Sequence, residues 1–225
     1  MRRMLAGLAP CFVVIIGCAS PNIAPQRVVA VPKRPSIPPP LAPPAVVEES
    51  RASRPVLRPS GDSWYPACGR ISSRWTEIVI HHSATDCGGA ARFDRHHRLN
   101  NGWDELGYHF VIGNGTDTPD GAIEVGSRWH KQKHGAHCKT PDNYHNEHGI
   151  GICLVGNFQK APPSAAQLAS LRRLAAFLMR ETHIRPDQIR THRGITGKTA
   201  CPGRYFSLSA LKQSLAVAAA DHRRH

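Results

Sequence analysis

Residues 77–82 read EIVIHH and residues 149–155 read GIGICLV, and these two stretches decide the fold class. Both are short and apolar, and the first is rich in β-branched side chains, which predicts strands. The second is apolar without alternation, which is typical of a strand buried on both faces. A helical pattern lies between the two stretches and another follows the second. Strands that alternate with helices predict an α/β domain around a mixed sheet.

The rest of the chain extends this pattern in both directions. Further strands are predicted at residues 107–113, 122–125 and 188–192, and helices at 90–100, 164–182 and 207–219. The second strand of this set should pair with the first, because a turn-forming NGTDTPDG stretch joins them. Ser164 and Gln167 form a capping-box signal at the start of the longest helix. Residues 127–148 are polar and rich in histidine, and we expect them to be irregular.

Composition separates the folded part of the chain from its beginning. The chain has 225 residues and a net charge of +13. Residues 21–60 contain 11 of the 19 prolines and no aromatic side chain, whereas all 14 histidines and all four tryptophans come after residue 60. We therefore expect one folded domain at 61–225, which is long enough to bury a core. A coiled coil, a repeat array and a wholly disordered chain are excluded.

The N-terminal segment has the pattern of an export signal. Arg2 and Arg3 precede an apolar run over residues 4–17 that is too short to span a bilayer. The run ends in Ile-Ile-Gly before Cys18, which resembles the lipobox of bacterial lipoproteins. That resemblance implies a signal peptide over residues 1–17 and acylation of Cys18. An ordinary secretory signal with an incidental cysteine is the alternative.

The segment after Cys18 is predicted to be a tether. Residues 18–60 are rich in proline and favour the extended polyproline II conformation. The tether carries six basic and two acidic residues, which suits an anionic surface, although a plain spacer is equally consistent. Ala19 stands where an Asp would resemble an inner-membrane retention signal. We therefore expect a periplasmic domain anchored in the outer membrane.

Side chains able to bind a metal occur at the predicted strand ends. His81 and His82 end the first strand, Tyr108 opens the next, and His192 ends a short strand before a loop with Cys201. Two imidazoles and a thiolate make a three-ligand catalytic zinc site that leaves one position for water. A lone histidine in a strand is more often structural, and His82 faces away from His81 by strand alternation. Spacing alone does not select these residues from 14 histidines and seven cysteines.

Five motifs, taken in their order along the chain, identify which of these residues belong to the site. IVIHHSAT, LGYHFVIG, GAH, GIGICLVG and THRGITGKTACPG occur along the chain. Together they resemble the type 2 N-acetylmuramoyl-L-alanine amidases, which include phage lysozyme-type amidases and peptidoglycan recognition proteins. The resemblance covers residues 70–216, nearly the whole predicted domain. It implies a single domain with a central mixed sheet flanked by helices, and zinc-dependent hydrolysis of the bond between N-acetylmuramic acid and L-alanine.

The resemblance also implies which residues do the chemistry. His81, His192 and Cys201 match the zinc ligands of the family. Tyr108 and Thr199 match its substrate-facing residues, which would stabilise the oxyanion. Some relatives have lost a ligand and bind peptidoglycan without cutting it. The alternative interpretation of this chain is therefore a recognition module, and a wall anchor that needs no metal is a third.

Two departures from the family pattern leave roles open. His192 and Cys201 are nine residues apart, where many relatives have eight, so either Thr199 or Lys198 can face the substrate. A Glu that one branch of the family uses as a candidate base is replaced by Cys153. We therefore expect no separate carboxylate base.

The segment WHKQKHGAHC contains four potential ligands within nine residues: His130, His134, His137 and Cys138. It looks like a second metal site, but the resemblance implies that this segment forms the wall of the substrate groove. Trp129 and His137 are accordingly predicted to contact the substrate.

Charge and compartment indicate the partners. Residues 61–225 carry 21 basic against 14 acidic residues, which suits an anionic wall polymer, and no nucleic-acid motif is present. We expect peptidoglycan or muropeptides as substrate, the membrane through Cys18 as a second contact, and a monomer. An oxidising compartment would also allow a disulfide, and Cys87 with Cys138 is one hypothesis.

Overall fold

The computed structural model describes residues 64–221. The predicted signal peptide at 1–17, the tether at 18–60 and the acylation site Cys18 lie outside the described residues. Within residues 64–221, no helix is both long and apolar enough to cross a membrane.

Five strands and six helices make up the domain described. They are β1 (Glu77–His82), α1 (Ala90–Asn101), β2 (Phe110–Ile112), β3 (Ile123–Val125), α2 (Ser127–His130), α3 (Tyr144–Glu147), β4 (Gly149–Leu154), α4 (Ala165–Thr182), β5 (Ile189–Thr191), α5 (His192–Thr196) and α6 (Leu208–Asp221). A short 3₁₀ helix, Pro186–Gln188, precedes β5.

The strands form one mixed sheet in the order β3-β2-β4-β1-β5. β1 lies between β4 and β5 and is parallel to both, and β2 is parallel to β4. Only the pairing of β2 with β3 is antiparallel in this sheet, as the intervening turn predicted. The predicted fold class, a single α/β domain with a mixed sheet flanked by helices, is confirmed.

The two faces of the central strands differ in chemistry. Along a strand, alternate residues point to opposite faces. On β4, Ile150, Ile152 and Leu154 face one side and are fully buried in the main core. The other side of β4 presents Gly149, Gly151 and Cys153. β1 runs in register beside it, so His81 lies next to Cys153 on that second face.

The apolar face is covered by α4 and α6, which contact each other and the sheet. Ser164 caps α4: its hydroxyl accepts from the Gln167 N–H at 3.0 Å, and the Gln167 side chain accepts from the Ser164 N–H. This predicted capping box satisfies two of the N–H groups that a helix start leaves unpaired. Leu171, Leu174 and Leu178 then pack fully buried against the sheet. This half of the domain is therefore a conventional helix-on-sheet core.

The second face carries a smaller apolar cluster and polar side chains. Phe93 of α1 packs there with Leu106, Val111, Cys153 and Val155. The segment between α2 and α3 lies over the rest of this face. It is the face on which the candidate site is built.

A buried arginine holds that segment in place. The Arg128 guanidinium is 2% exposed and donates to the backbone oxygens of Leu106 and His134 and to the Asp104 carboxylate. Glu105 lies beside it and accepts from Ser127 and Lys131. The network joins the chain before β2 to α2 and to the loop that follows.

Two regions differ from the sequence-based expectation. The predicted strand at 107–113 is shorter, since β2 includes only Phe110–Ile112. Residues 127–148, expected to be irregular, contain the helices α2 and α3. Each of these helices has four residues, about one turn, which is too short to give a detectable apolar period.

Candidate functional site

Three elements bring the predicted metal ligands together. His81 lies near the carboxyl end of β1, His192 begins α5 directly after β5, and Cys201 follows in the next loop. Because β1 and β5 are parallel neighbours, their carboxyl ends lie at the same edge of the sheet. The Arg193 N–H donates to the Cys201 carbonyl at 2.8 Å and ties that loop back to α5. Local pairing of strands therefore places residues that are 120 positions apart side by side.

The geometry of this cluster suits a metal ion. One ligand atom from each of His81, His192 and Cys201 lies within 4.8 Å of the others. His81 Nδ1 is 3.7 Å from Cys201 Sγ, and the two imidazole rings are 4.8 Å apart. Two imidazoles and one thiol, with one half-exposed histidine, are the donor set of a zinc site with an open position. The three residues fit the group that the sequence predicts, and their role as ligands stays a prediction.

Burial sets the protonation of these side chains. Burial, and then the neighbouring imidazoles, hold the pKa of His81 well below its usual range, so its ring is neutral and has a free lone pair. Burial also lowers the pKa of His192. Burial raises the pKa of the Cys201 thiol to about 11, although the backbone of His82 opposes the rise. The His82 N–H points at the sulfur at 3.3 Å, a position in which it stabilises a thiolate.

Tyr108 lies on the other side of His81. Its ring is half-buried, 5.3 Å from the His81 ring, and the side chain packs against the apolar cluster that contains Cys153. Burial raises the pKa of Tyr108 well above its usual range, and the two nearby thiols, Cys153 and Cys201, add to the rise. The pKa of Cys153 is likewise raised by burial. Tyr108 is therefore a phenol that can donate, and Cys153 is a neutral thiol.

A groove leads to the cluster. Its volume is about 700 Å³, and its wall includes His192, Lys198 and Thr199 on one side. The opposite side is formed by the segment before β4, with Trp103 at the rim; the lining residues there are Ala136, His137, Lys139, Thr140, Pro141, Asn143 and Asn146. A second cavity of about 350 Å³ adjoins Tyr108 and is lined by α1 residues. An elongated substrate can thus lie across the cluster.

Both candidate oxyanion donors line the groove. Thr199 is half-buried and its hydroxyl accepts from the Cys201 N–H at 3.1 Å, which places it directly beside a predicted ligand. Lys198 is exposed at the rim. The Thr199 hydroxyl therefore contacts the backbone of a predicted ligand, and both residues stay candidates.

Two sequence-based predictions are corrected by the structure. Trp129 is fully buried, and its indole N–H donates to the Trp64 carbonyl at 2.6 Å, so its predicted contact with substrate is wrong. Its side chain belongs to the core. The hypothesised disulfide is also wrong, since Cys87 is an exposed free thiol and Cys138 a buried one.

The histidine-rich segment does not form a second metal cluster. Within residues 64–221, the grouping of His81, His192 and Cys201 is the one that has metal-site geometry. His137 lines the groove as predicted but is 8% exposed, with its ring against His81. His82 has the predicted structural role, since its Nδ1 accepts from the Phe158 N–H at 3.0 Å.

Sequence reasoning missed the contact between His137 and His81. The alternation of Gly149, Gly151 and Cys153 along β4 was a usable signal. It removes side chains from one face of the strand, and His137 fills the space left there.

Comparison with known proteins identifies similar chains. The chain is 35% identical over 122 residues to an N-acetylmuramoyl-L-alanine amidase of Homo sapiens, covering 53% of this chain and 19% of that protein. It is 30% identical over 136 residues to peptidoglycan-recognition protein LB of Drosophila melanogaster, covering 56% of this chain and 53% of that protein. The chain thus spans about a fifth of the length of the mammalian amidases it matches.

A solved structure and a family model also match the chain. The N-acetylmuramoyl-L-alanine amidase LysC from Clostridium intestinale URNW aligns with a TM-score of 0.55 and 28% identity, covering 65% of this chain and 89% of that one. Residues 72–204, more than half of the chain, match the family Amidase_2, described as N-acetylmuramoyl-L-alanine amidase. The match contains all three residues of the metal-type cluster. The chain therefore belongs to the Amidase_2 family of N-acetylmuramoyl-L-alanine amidases.

Proposed function

We propose that this protein is a zinc-dependent amidase that cleaves the bond between the lactyl group of N-acetylmuramic acid and L-alanine in peptidoglycan. The observation that carries the proposal is the convergence of His81, His192 and Cys201 within 4.8 Å at the end of an open groove. A recognition module needs the groove but has no need for a complete set of metal donors. The family and its amidase members support the choice of bond.

A zinc ion held by these three side chains would polarise the scissile carbonyl and activate water at neutral pH. The residues around the cluster would bind the substrate and stabilise the oxyanion. Tyr108 remains protonated, so its hydroxyl can donate to the oxyanion that forms when water adds to the carbonyl carbon. Thr199 and Lys198 line the groove together with His192. The carbon–nitrogen bond then breaks, and the amine of alanine leaves with a proton.

The position of Cys153 supports a reaction without a carboxylate base. Its thiol is fully buried and keeps its proton, because burial raises its pKa. The side chain packs in the apolar cluster against which Tyr108 lies. Cys153 is therefore not a base that accepts a proton from water.

Product analysis tests the proposal. The purified full chain is incubated with disaccharide-tetrapeptide muropeptide, with and without a chelator, and the products are identified by mass spectrometry. Free tetrapeptide and intact disaccharide, lost with chelator and restored by zinc, are the expected result. His81→Asn should abolish cleavage because it removes a ligand. His145→Gln, a half-buried histidine bonded to Glu77 at the other end of β1, serves as the matched control.

The alternative function gives a different result in the same experiment. A recognition module would bind the muropeptide and release no peptide, even with one zinc per chain and with cross-linked sacculi as substrate. That outcome would overturn the amidase proposal.

We further propose that the domain acts outside the cytoplasm, at the periplasmic face of the outer membrane, on a lipid anchor at Cys18, with residues 18–60 as tether. The lipobox-like sequence before Cys18 and the basic, proline-rich composition support this. Incorporation of labelled palmitate that is lost in Cys18→Ala is expected. A soluble, unlabelled protein would contradict it.

A further inference from the structure

The His137 imidazole lies in a slot that two glycines make for it. A Cβ atom at Gly151 would come within 2.3 Å of the ring, and one at Gly135 within 2.4 Å. Gly151 belongs to β4 and Gly135 to the loop before it, so the ring is clamped between two elements. Because the backbone at both glycines lies so close to the ring, the His137 side chain is held in a single orientation.

The backbone of His137 is held just as firmly. The side-chain oxygen of Asn146 accepts from the N–H groups of both His137 and Cys138 at 2.8 Å. The Ala136 N–H donates to the Gly107 carbonyl at 2.9 Å. Ring and backbone are therefore both fixed before any ligand binds.

The hydrogen bonds of His137 decide where its proton sits. Its Nε2 lies 3.2 Å from the Gly149 carbonyl oxygen, which can only accept, so Nε2 carries the hydrogen. In a neutral ring, Nδ1 is then an acceptor. That Nδ1 lies 3.1 Å from His81 Nε2, which must be the donor in this pair.

The same reasoning fixes His81. With its hydrogen on Nε2, the lone pair of His81 is on Nδ1, the atom that faces Cys201 Sγ at 3.7 Å. A metal ligand needs a bare nitrogen, and the partner of the other nitrogen sets which one is bare. The Gly149 carbonyl thus fixes the tautomer of His137, and His137 in turn fixes the tautomer of His81, which leaves His81 Nδ1 without a hydrogen.

We propose that His137 is a positioning residue that fixes the orientation and tautomer of His81, so that His81 Nδ1 is presented to the zinc ion. The inference rests on the proposed zinc site. It predicts that removal of the hydrogen bonds of His137 weakens metal binding even though His137 does not touch the metal.

Zinc affinity, measured on the full chain by competition with a chromophoric chelator, tests this. His137→Leu keeps similar bulk and removes both hydrogen bonds, and we expect zinc binding to weaken by about 10- to 100-fold. In His137→Gln the amide can accept from His81 and donate to Gly149, so affinity should stay within about threefold of wild type. His145→Gln is the control and should not change affinity. Equal loss in the Leu and Gln variants, or no loss in a folded Leu variant, would overturn the inference.

A second measurement uses only the wild-type chain and requires no catalytic activity. Two-bond ¹H–¹⁵N correlation spectra of the zinc-free wild-type chain report which ring nitrogen of each neutral histidine is protonated. Both His81 and His137 should carry the hydrogen on Nε2, and a hydrogen on Nδ1 of either ring would refute the relay. Failure of the amidase proposal would appear separately, as a wild-type chain that binds zinc poorly or releases no peptide.

Discussion

At the scale of single residues, Tyr108 stands out because it contacts both the cluster and the second cavity. Its ring packs near His81, and burial keeps its hydroxyl protonated by raising its pKa. A phenol in this position remains a hydrogen-bond donor throughout the neutral pH range. The half-exposed Tyr108 side chain also lines the second cavity.

Tyr108→Phe removes this donor and should lower kcat by about 10²- to 10³-fold, the usual cost of one oxyanion donor. Zinc content should be unchanged because Tyr108 is not a ligand. Steady-state assays on muropeptide with metal analysis check both values. Tyr144→Phe, an exposed tyrosine bonded to Thr76, is the control and should behave as wild type. A kcat for Tyr108→Phe near that of wild type would remove Tyr108 from the reaction.

Thr199 and Lys198 can be separated in the same way. Since the Thr199 hydroxyl accepts from the Cys201 N–H, Thr199→Val should lower kcat and also weaken zinc binding. Lys198→Met should leave zinc affinity intact, because Lys198 lies exposed at the rim. If Lys198→Met costs more in kcat than Thr199→Val, the lysine is the main donor.

How far single residues were predictable depended on where their partners lie in the sequence. His81, His192 and Cys201 stand in motifs, so resemblance could select them, and the structure brings them together. Trp129 was misplaced because a motif letter does not say whether a side chain points into the groove or the core. The contact of His137 with His81 joins positions 56 apart, and the glycines of β4 indicate a space without specifying which residue fills it.

At the scale of elements, β4 is the strand on which both halves of the domain depend. Its isoleucines and leucine complete the main core, and its Gly151 forms one side of the slot for His137. One strand thus contributes to stability on one face and to the site on the other. Substitutions on the two faces should therefore have different effects.

Gly151→Ala places a methyl group against the His137 ring, so we expect a lower melting temperature together with weaker zinc binding. Ile150→Val, on the opposite face of the same strand, should cost about 0.5–1.5 kcal/mol of stability and leave zinc affinity unchanged. Thermal unfolding and chelator competition measure the two properties. Loss of zinc affinity in both variants would mean that the faces are not separable.

Elements with strong local signals were predicted closely. β1 has the predicted bounds, and α4 begins after the predicted capping residue. β2 was predicted too long because Tyr108 and His109 resemble strand residues in composition, although the described strand starts at Phe110. The order of strands in the sheet depends on pairing across the whole chain, which sequence pattern does not specify.

At the scale of the whole molecule, the network around Arg128 links stability to pH. Burial alone would raise the pKa of Glu105, but hydrogen bonds from Ser127, Lys131 and Lys133 outweigh it and lower the pKa to about 2. A hydrogen bond from Lys133 is the main cause that lowers the pKa of Asp104, also to about 2. Carboxylates with lowered pKa stabilise the folded state while they are charged.

The contribution of these two carboxylates to the free energy of unfolding should therefore be greatest above about pH 4.5 and should decrease as pH falls toward 2, because the unfolded chain takes up protons first. Glu105 is the more buried of the two carboxylates, and Glu105→Gln removes its pH-dependent contribution to stability. Urea titrations at a series of pH values should show wild type more stable than Glu105→Gln near neutral pH, with the difference shrinking below pH 4.5. A difference that is constant with pH would show that the charge of Glu105 contributes nothing.

The three donors of the cluster come from positions 81, 192 and 201. His81 is on β1, whereas His192 and Cys201 follow β5, the strand that pairs with β1. No fragment made early in synthesis can hold an ion with this set, since two of the donors are among the last residues of the domain to leave the ribosome. Metal binding at this cluster would therefore follow completion of the fold. A bound ion would close a loop of more than a hundred residues and would tie the short edge strand β5 to the centre of the sheet.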